Sequence, residues 1–518
     1  MRNIHYLILL FASGLLALFS CAAPIEESLL HDPSDRKWQN YWTIMIYADG
    51  DNNLERYLID DINEMKRGYI DYQGYKVIVL ADRVYGESRD SSAFGEDFTD
   101  TRLYKINSGR VTRLNGGAEF PEISTSSNYE ANMGDASTLK KFIRFCKVNY
   151  PAQKYALILW NHGGGTRGEE SSPPEMTNKA VCWDDTNGKD ALYIGEISSV
   201  LTSAESVDLL GFDACLMGSV EVAYQFRPGN GGFNAQVMVA SPSNVWAYGW
   251  KYDNIFQRLR SGGGESGESD TIVGAKLGFS SEKYYDPLTM SAVDLAGVII
   301  EEQFDSVGTL SSQSLSCYNL NKVSDVKYAV DELAKTITTE TKWNTLEELR
   351  GIKGVTDNNV MHFFNIEDTA EWLEYPFFDL YDLGKAVAGS SLDTVKGNAI
   401  KTAVENFIIY SFGGTQFISF NGNSFERGKN GVHIFFPDGD DHTYSGKRQW
   451  ASQWWYNPID TGQELTPYGQ CLYGKLQFCG SGTQANGIVE NWFEMLDKYC
   501  DDHVSSGYGA VGYNGYQY

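Results

Sequence analysis

Positive charge is scarce in this chain. Against 68 acidic residues it sets 42 basic ones, for a net charge of −26. Such a field repels a phosphate backbone, which excludes nucleic acid as a partner. Long apolar runs are missing too: none reaches the ~18 residues of a membrane-spanning helix, so no span is expected. Nor does a low-complexity block dominate the interior, which excludes a largely disordered chain. What is present is material for a core. Hydrophobic residues make up 42% and aromatic residues 14% of the 518 positions, and that length accommodates two domains with large buried sheets. The acidic excess fits either a merely solvated surface or one that attracts cationic peptides.

The N-terminus reads as an export signal. Arg2 and His5 precede a 14-residue apolar run, Tyr6 to Phe19, too short for a span and suited to a signal-peptide core. The following "LFSC", Leu18 to Cys21, resembles a bacterial lipobox, whose cysteine takes a diacylglyceryl group and becomes the first mature residue. Residues 1–20 are therefore expected to be a lipoprotein-type signal peptide, Cys21 the lipid anchor and 21–40 a tether. The protein is then a cell-envelope lipoprotein held at a membrane surface; simple secretion is the alternative. Seven cysteines remain: Cys146, Cys182, Cys215, Cys317, Cys471, Cys479 and Cys500. An odd number in an exported chain leaves at least one free thiol. "CLYGKLQFC" spaces Cys471 and Cys479 for a local disulfide, and Cys146 falls on an apolar helical face as a buried hydrophobe. Cys215 fits neither description.

From residue 41 onward, apolar runs of strand length alternate with amphipathic helical segments, the pattern of an α/β fold with a mostly parallel sheet. Strands are expected at 41–49, 75–82, 101–106, 154–163, 207–215 and 235–241, and several are apolar throughout, as strands covered on both faces are. Helices are expected at 53–69, 134–150 with Asp135 as N-cap, 193–205 and 216–226. Past the exposed turn "SGGGESGESD", 288–295 reads as another strand, 297–312 and 322–350 as helical, and 412–422 and 430–437 as aromatic-rich strands. The division predicted is a catalytic domain over 41–296, a C-terminal α+β lobe over 297–500 packed on it, and a Gly/Tyr-rich tail over 501–518.

In open parallel sheets ligands bind at the carboxyl ends of the strands. Two reactive side chains fall there. His162 ends "ALILWNHGGG", and Cys215 ends "DLLGFDAC" 53 residues later. A cysteine just before a helix feels that helix's positive end, which favours the thiolate, and a histidine within reach can serve as base and then as acid. Gly163 to Gly165 carry no side chains, so their backbone N–H groups can approach a reacting carbonyl as an oxyanion hole requires. Each feature alone has an ordinary structural reading; their joint placement at two equivalent strand ends favours chemistry.

His162-Gly163 after one hydrophobic block and Ala214-Cys215 after another resemble the signature of the caspase-like clan of cysteine peptidases. The clostripain family is the nearer likeness: "WTIMIYADGDNNLE", "LILWNHGGG", "WDDTNGKDAL", "GFDACLMGSVEVAYQF" and "ASPSNVWAYGWKYDNIF" resemble its segments in order, and "LTMSAVDL" and "NGVHIFFP" extend the likeness. The resemblance implies a caspase-like α/β/α sandwich and a cysteine endopeptidase acting on protein or peptide substrates. Cys215 would be the nucleophile, His162 the general acid/base of a dyad, and the N–H groups of Gly163 and Cys215 the oxyanion donors, with no cofactor required for the chemistry. It also implies a preference for Arg or Lys before the scissile bond, with Asp213 contributing to that pocket; otherwise Asp213 only ends its strand and binds loop amides. Where some relatives carry a second acid, this chain has Pro242, Ser243 and Asn244. The loop 166–183, with Arg167 and Lys179, resembles a self-cleaved linker. The carboxylate spacing of Asp184, Asp185, Asn187 and Asp190 suits Ca²⁺ or merely decorates a turn. The rival readings are a non-catalytic binding module on the same fold, and a dyad peptidase or transpeptidase with non-basic specificity.

Overall fold

The computed structural model describes residues 40–166, 181–264, 284–308, 310–351, 360–363, 376–437, 443–444, 447–448, 473–480, 486 and 488–500. Its frame is a nine-stranded sheet: β1 (Trp42–Gly50), β2 (Tyr75–Arg83), β3 (Arg102–Asn107), β4 (Arg110–Leu114), β5 (Lys154–Trp160), β6 (Val207–Asp213), β7 (Ala235–Ala240), β8 (Ser314–Asn319) and β9 (Ile408–Gly413). The order across the sheet is β9-β8-β7-β6-β5-β1-β2-β3-β4. The five central strands, β7 to β2, run parallel, and the outer strands on both sides are antiparallel.

The apolar runs explain this arrangement. In β1, Trp42, Ile44, Ile46 and Ala48 enter one core while Met45 and Tyr47 enter the other, so the strand is buried on both faces. Each such large side chain contributes about 1.5–3 kcal/mol on burial. One face is covered by α1 (Glu55–Gly68), through Leu58, Ile62 and Met65. The other is covered by α2 (Ala136–Asn149), where Asp135 accepts from the Ser137 N–H and Cys146 is buried. α3 (Ile194–Val200) and α4 (Val220–Gln225) join α2's layer, whereas α5 (Tyr252–Gln257) and α6 (Ala292–Val307) join α1's. The mixed α/β class with a mostly parallel central sheet is therefore as expected.

Three local predictions are corrected. Residues 288–295 do not form a strand, because Ser291 and Asp294 make a reciprocal capping box that starts α6. The 216–226 helix begins only at Val220: Leu216 takes a φ of +66°, and Ser219 caps the Val222 N–H. The 322–350 segment is two helices, α7 (Val323–Ala334) and α8 (Glu340–Arg350), parted where Thr339 caps the second. Residues 297–500, expected as a packed lobe, supply β8 and β9 to the main sheet. They also supply α9 (Leu380–Gly389), α10 (Thr394–Phe407) and a small pair, Phe377–Asp379 with His433–Phe435. Among the described residues no helix is long and apolar enough to cross a membrane.

The chain turns from β1 to β2 on one side and later to β5 on the other, so β1 and β5 flank the point where strand order reverses. Ligand crevices form outside the carboxyl ends at such points. Register aligns Ala48, Trp160 and Asp213 across β1, β5 and β6, so the residues after each strand emerge on one rim.

Candidate active site

Cys215 stands two residues beyond β6, half-buried, on a turn with little room. Leu216 beyond it holds the left-handed φ and donates its N–H to Ser243 O at 3.0 Å. The turn is also fixed from the far end of the sequence: His433 Nε2 lies 2.9 Å from Leu216 O, and His433 N donates to Gly218 O at 3.0 Å. Val245 N donates to Cys215 Sγ at 3.2 Å, and Sγ lies 3.6 Å from Val245 O. α4 is short and starts five residues after Cys215. The expectation that a helix end activates the thiol is therefore not met; burial first, and the Asp213 charge after it, push the thiol up to about 11.

His162 follows β5, and its half-buried ring faces Trp183 edge-on at 6.2 Å. Its Nε2 lies 2.8 Å from Asn53 Oδ1, an oxygen that only accepts, so Nε2 carries the proton and Nδ1 is the basic nitrogen. Burial pulls the imidazole down to about 4, so it is neutral and able to take a proton at neutral pH. At Gly163 the segments that follow the two strands lie close together. A Cβ built there would lie 2.2 Å from Cys215 O and 3.0 Å from Cys215 N.

His162, Cys215 and Asp213 line one cavity of about 330 Å³, shared with Trp160, Asn244 and Gly249. Asp213 is buried and accepts on Oδ2 from Trp250 N and the Tyr252 hydroxyl, each at 2.9 Å. Burial pushes its carboxyl up to about 7. Ser243 is buried, with its Oγ 2.6 Å from Ser314 Oγ, and offers the cavity no charge.

The predicted metal ligands separate. Asp184 joins Asp51, Asp82 and Glu130, and one carboxylate oxygen from each of the four lies within 4.8 Å of the others. Asn187 instead donates to both Asp184 oxygens, Asp190 accepts from Asn132 and the Ala191 N–H, and exposed Asp185 bonds the Asp51 carbonyl through its N–H. Asp49 is wholly buried beside the cluster, and Asp49 Oδ2, Asp51 Oδ1 and Glu130 Oε1 are buried without a hydrogen-bond partner. Burial and neighbouring carboxylates hold Asp49 well above the usual range and push Glu130 up to about 8. Ionised carboxylates only accept, so a hard cation is the partner this oxygen set fits.

Cys21, Cys471, Arg167 and Lys179 lie outside the described residues, and with them the lipid anchor, the predicted disulfide and most of the 166–183 loop. Sequence reasoning quoted the segments that hold Asn53, Val245 and His433 but gave none of the three a role, since nothing in those segments says which distant side chain each one meets.

The model of the clostripain family matches residues 46–492 of the chain. Clostripain of Hathewaya histolytica is 47% identical over 476 residues, which is 89% of this chain and 87% of that protein. A secreted C11 cysteine protease from Bacteroides thetaiotaomicron, solved with an irreversible peptide inhibitor, is 18% identical at a TM-score of 0.49. That alignment covers 80% of this chain and 98% of the other. An inactive zymogen C11 protease from Parabacteroides distasonis is 17% identical at a TM-score of 0.48, over 76% of this chain and 92% of the other.

Proposed function

Because the chain belongs to the clostripain family and is a cysteine endopeptidase, we propose that it hydrolyses peptide bonds with Cys215 as nucleophile and His162 as general acid/base, after Arg or Lys. The supporting observation is that both side chains line one cavity at the carboxyl ends of adjacent parallel strands. With a neutral thiol and a neutral imidazole at rest, Nδ1 takes the thiol proton as Sγ attacks the substrate carbonyl. The oxyanion is received by the N–H groups of Gly163 and Cys215. His162 returns the proton to the leaving amine, leaving a thioester that water, deprotonated by the same imidazole, hydrolyses to acid and free thiol. Asp213 pairs with the basic side chain.

The test is an alkylating peptide directed at the active site, applied to wild type and Cys215→Ala. Labelling of wild type alone, with turnover of Arg and Lys reporters, is expected. Equal labelling, or no turnover of any peptide, would support a binding module instead. A peptide-library profile lacking Arg and Lys would support the non-basic alternative.

Two further parts of this reading concern placement and stability. Cys21 carries a lipid that holds the enzyme at the cell envelope; labelled fatty acid enters wild type and not Cys21→Ala. Asp51, Asp82, Glu130 and Asp184 hold a divalent cation of Ca²⁺ type, supported by the buried, partnerless oxygens of Asp49, Asp51 and Glu130. It would tie the rim after β1 to the loop that carries Asp184, without entering the bond-breaking steps.

A further inference from the structure

Asp213 does not stand alone at the foot of the cavity. Its two hydrogen bonds both end on Oδ2, which leaves Oδ1 as the oxygen available to the cavity that Asp213 lines. Behind it lies Asp61, a buried residue of α1 whose Oδ2 accepts from the Trp160 indole N–H at 2.6 Å. Gly249 measures how near the two acids come. A Cβ there would sit 2.5 Å from Asp61 Oδ2 and 2.9 Å from Asp213 Oδ2, so these oxygens are at most about 5.4 Å apart. Gly249 itself holds φ at +58°. Only a residue without a side chain lets two carboxylates converge at that point.

The charged groups around the pair do not neutralise it. Glu64, on the same helix as Asp61, adds a negative charge. Lys251, just before α5, reaches Glu64 at 3.4 Å. Trp160 and Tyr252 contribute neutral donors. Two buried like charges this close are not both ionised without a cation. Burial, and then the Asp213 charge, hold Asp61 well above the ordinary carboxylate range, so without substrate the pair keeps a proton.

We propose that Asp61 is a second specificity-determining residue, which from behind the cavity lining adds its negative charge to that of Asp213, the acid that meets a substrate's guanidinium or ammonium group. This rests on the basic preference proposed above and supplies the second acid that the sequence lacks near Ser243. A cation entering the floor favours the doubly ionised pair and expels the shared proton, which leaves to solvent. Binding of a basic side chain therefore strengthens as pH rises through the neutral range; binding of a neutral one does not.

The experiment compares wild type and Asp61→Asn on peptide coumarylamides bearing Arg, Lys or citrulline before the scissile bond, across pH. Asparagine keeps an oxygen for the Trp160 indole but cannot ionise. In wild type, KM for Arg should fall as pH rises through about 7, while KM for citrulline stays level. In Asp61→Asn that fall should shrink to the part that burial of Asp213 alone supplies, and the Arg-to-citrulline ratio of kcat/KM should drop at least about tenfold, the equivalent of ~1.4 kcal/mol. An unchanged ratio and an unchanged pH dependence in a wild type that selects Arg would overturn the role of Asp61 alone. A wild type that turns over peptides but never after Arg or Lys would overturn the basic preference and this inference together. Should the variant not fold, calorimetry of agmatine binding to Cys215→Ala at about pH 8, where Asp213 alone would already be ionised, in two buffers of different ionisation enthalpy decides the matter: proton release supports the pair, and none refutes it.

Discussion

Adding one methyl group at Gly163 tests how closely the two strand ends are fitted. In Gly163→Ala the new Cβ meets Cys215 O at 2.2 Å, whereas ordinary contact begins at 3.4 Å, so one backbone must retreat by about 1.2 Å. The nucleophile turn has little freedom to absorb this. Ser243 O holds the Leu216 N–H, and His433 holds the Leu216 and Gly218 carbonyls. A displacement of that size at a reacting group costs about a hundredfold in rate, or ~2.7 kcal/mol of barrier. Overpacking itself costs about 1–3 kcal/mol of stability. The assay is steady-state turnover of an Arg reporter with active-site titration, beside a thermal melt. Gly109→Ala is the control. Its φ of +71° adds a backbone penalty that Gly163 does not carry, but no atom lies within 4 Å of the new methyl, so it should lose stability and keep its rate. If Gly163→Ala retains kcat within threefold of wild type, roughly 0.65 kcal/mol, the close approach has no catalytic meaning and the assignment of Gly163 is wrong.

Three other outcomes follow from the same geometry. Because burial puts Cys215 at about 11 and His162 at about 4, the resting pair is uncharged. Iodoacetamide labelling of Cys215 should therefore climb about tenfold per pH unit through neutrality, and a plateau there would reveal a thiolate–imidazolium pair. Asn53 orients the imidazole, so Asn53→Ala should lower kcat about tenfold with KM little changed. Asn53→Asp should move the acid limb of kcat upward, since a carboxylate favours the imidazolium; an unmoved limb would remove Asn53 from the site. Calcium at a hundred times its dissociation constant should stabilise the protein by about 2.7 kcal/mol, seen as a rise in Tm that chelator and Asp184→Asn both abolish. A Tm indifferent to calcium and chelator alike would refute the cation site.

His162 and Cys215 were legible because each ends a long apolar run, and five such runs in series leave few alternatives to a parallel sheet. Asp61 was not. In "YLIDDINEM" it is one of two adjacent acids on an amphipathic helix, and only the packing of α1 over Trp160 turns it inward. Asn53 and His433 meet their partners across 109 and 217 residues, separations that no local pattern encodes. The metal prediction erred in a related way. Spacing within 184–190 suggested a self-contained loop, whereas the oxygens that converge come from four distant places in the chain. The late start of α4 depends on one left-handed leucine, a conformation that leucine's identity does not announce.

The bond from His433 to Leu216 has a bearing on when the protein can be active. Leu216, next to the nucleophile, is synthesised 217 residues before the imidazole that secures its turn. A chain emerging N-terminus first thus carries both Cys215 and His162 long before it can shape them. The last third is in effect a completion check: a product ending short of residue 433 keeps His162 and Cys215 but lacks the imidazole that holds the Leu216 carbonyl.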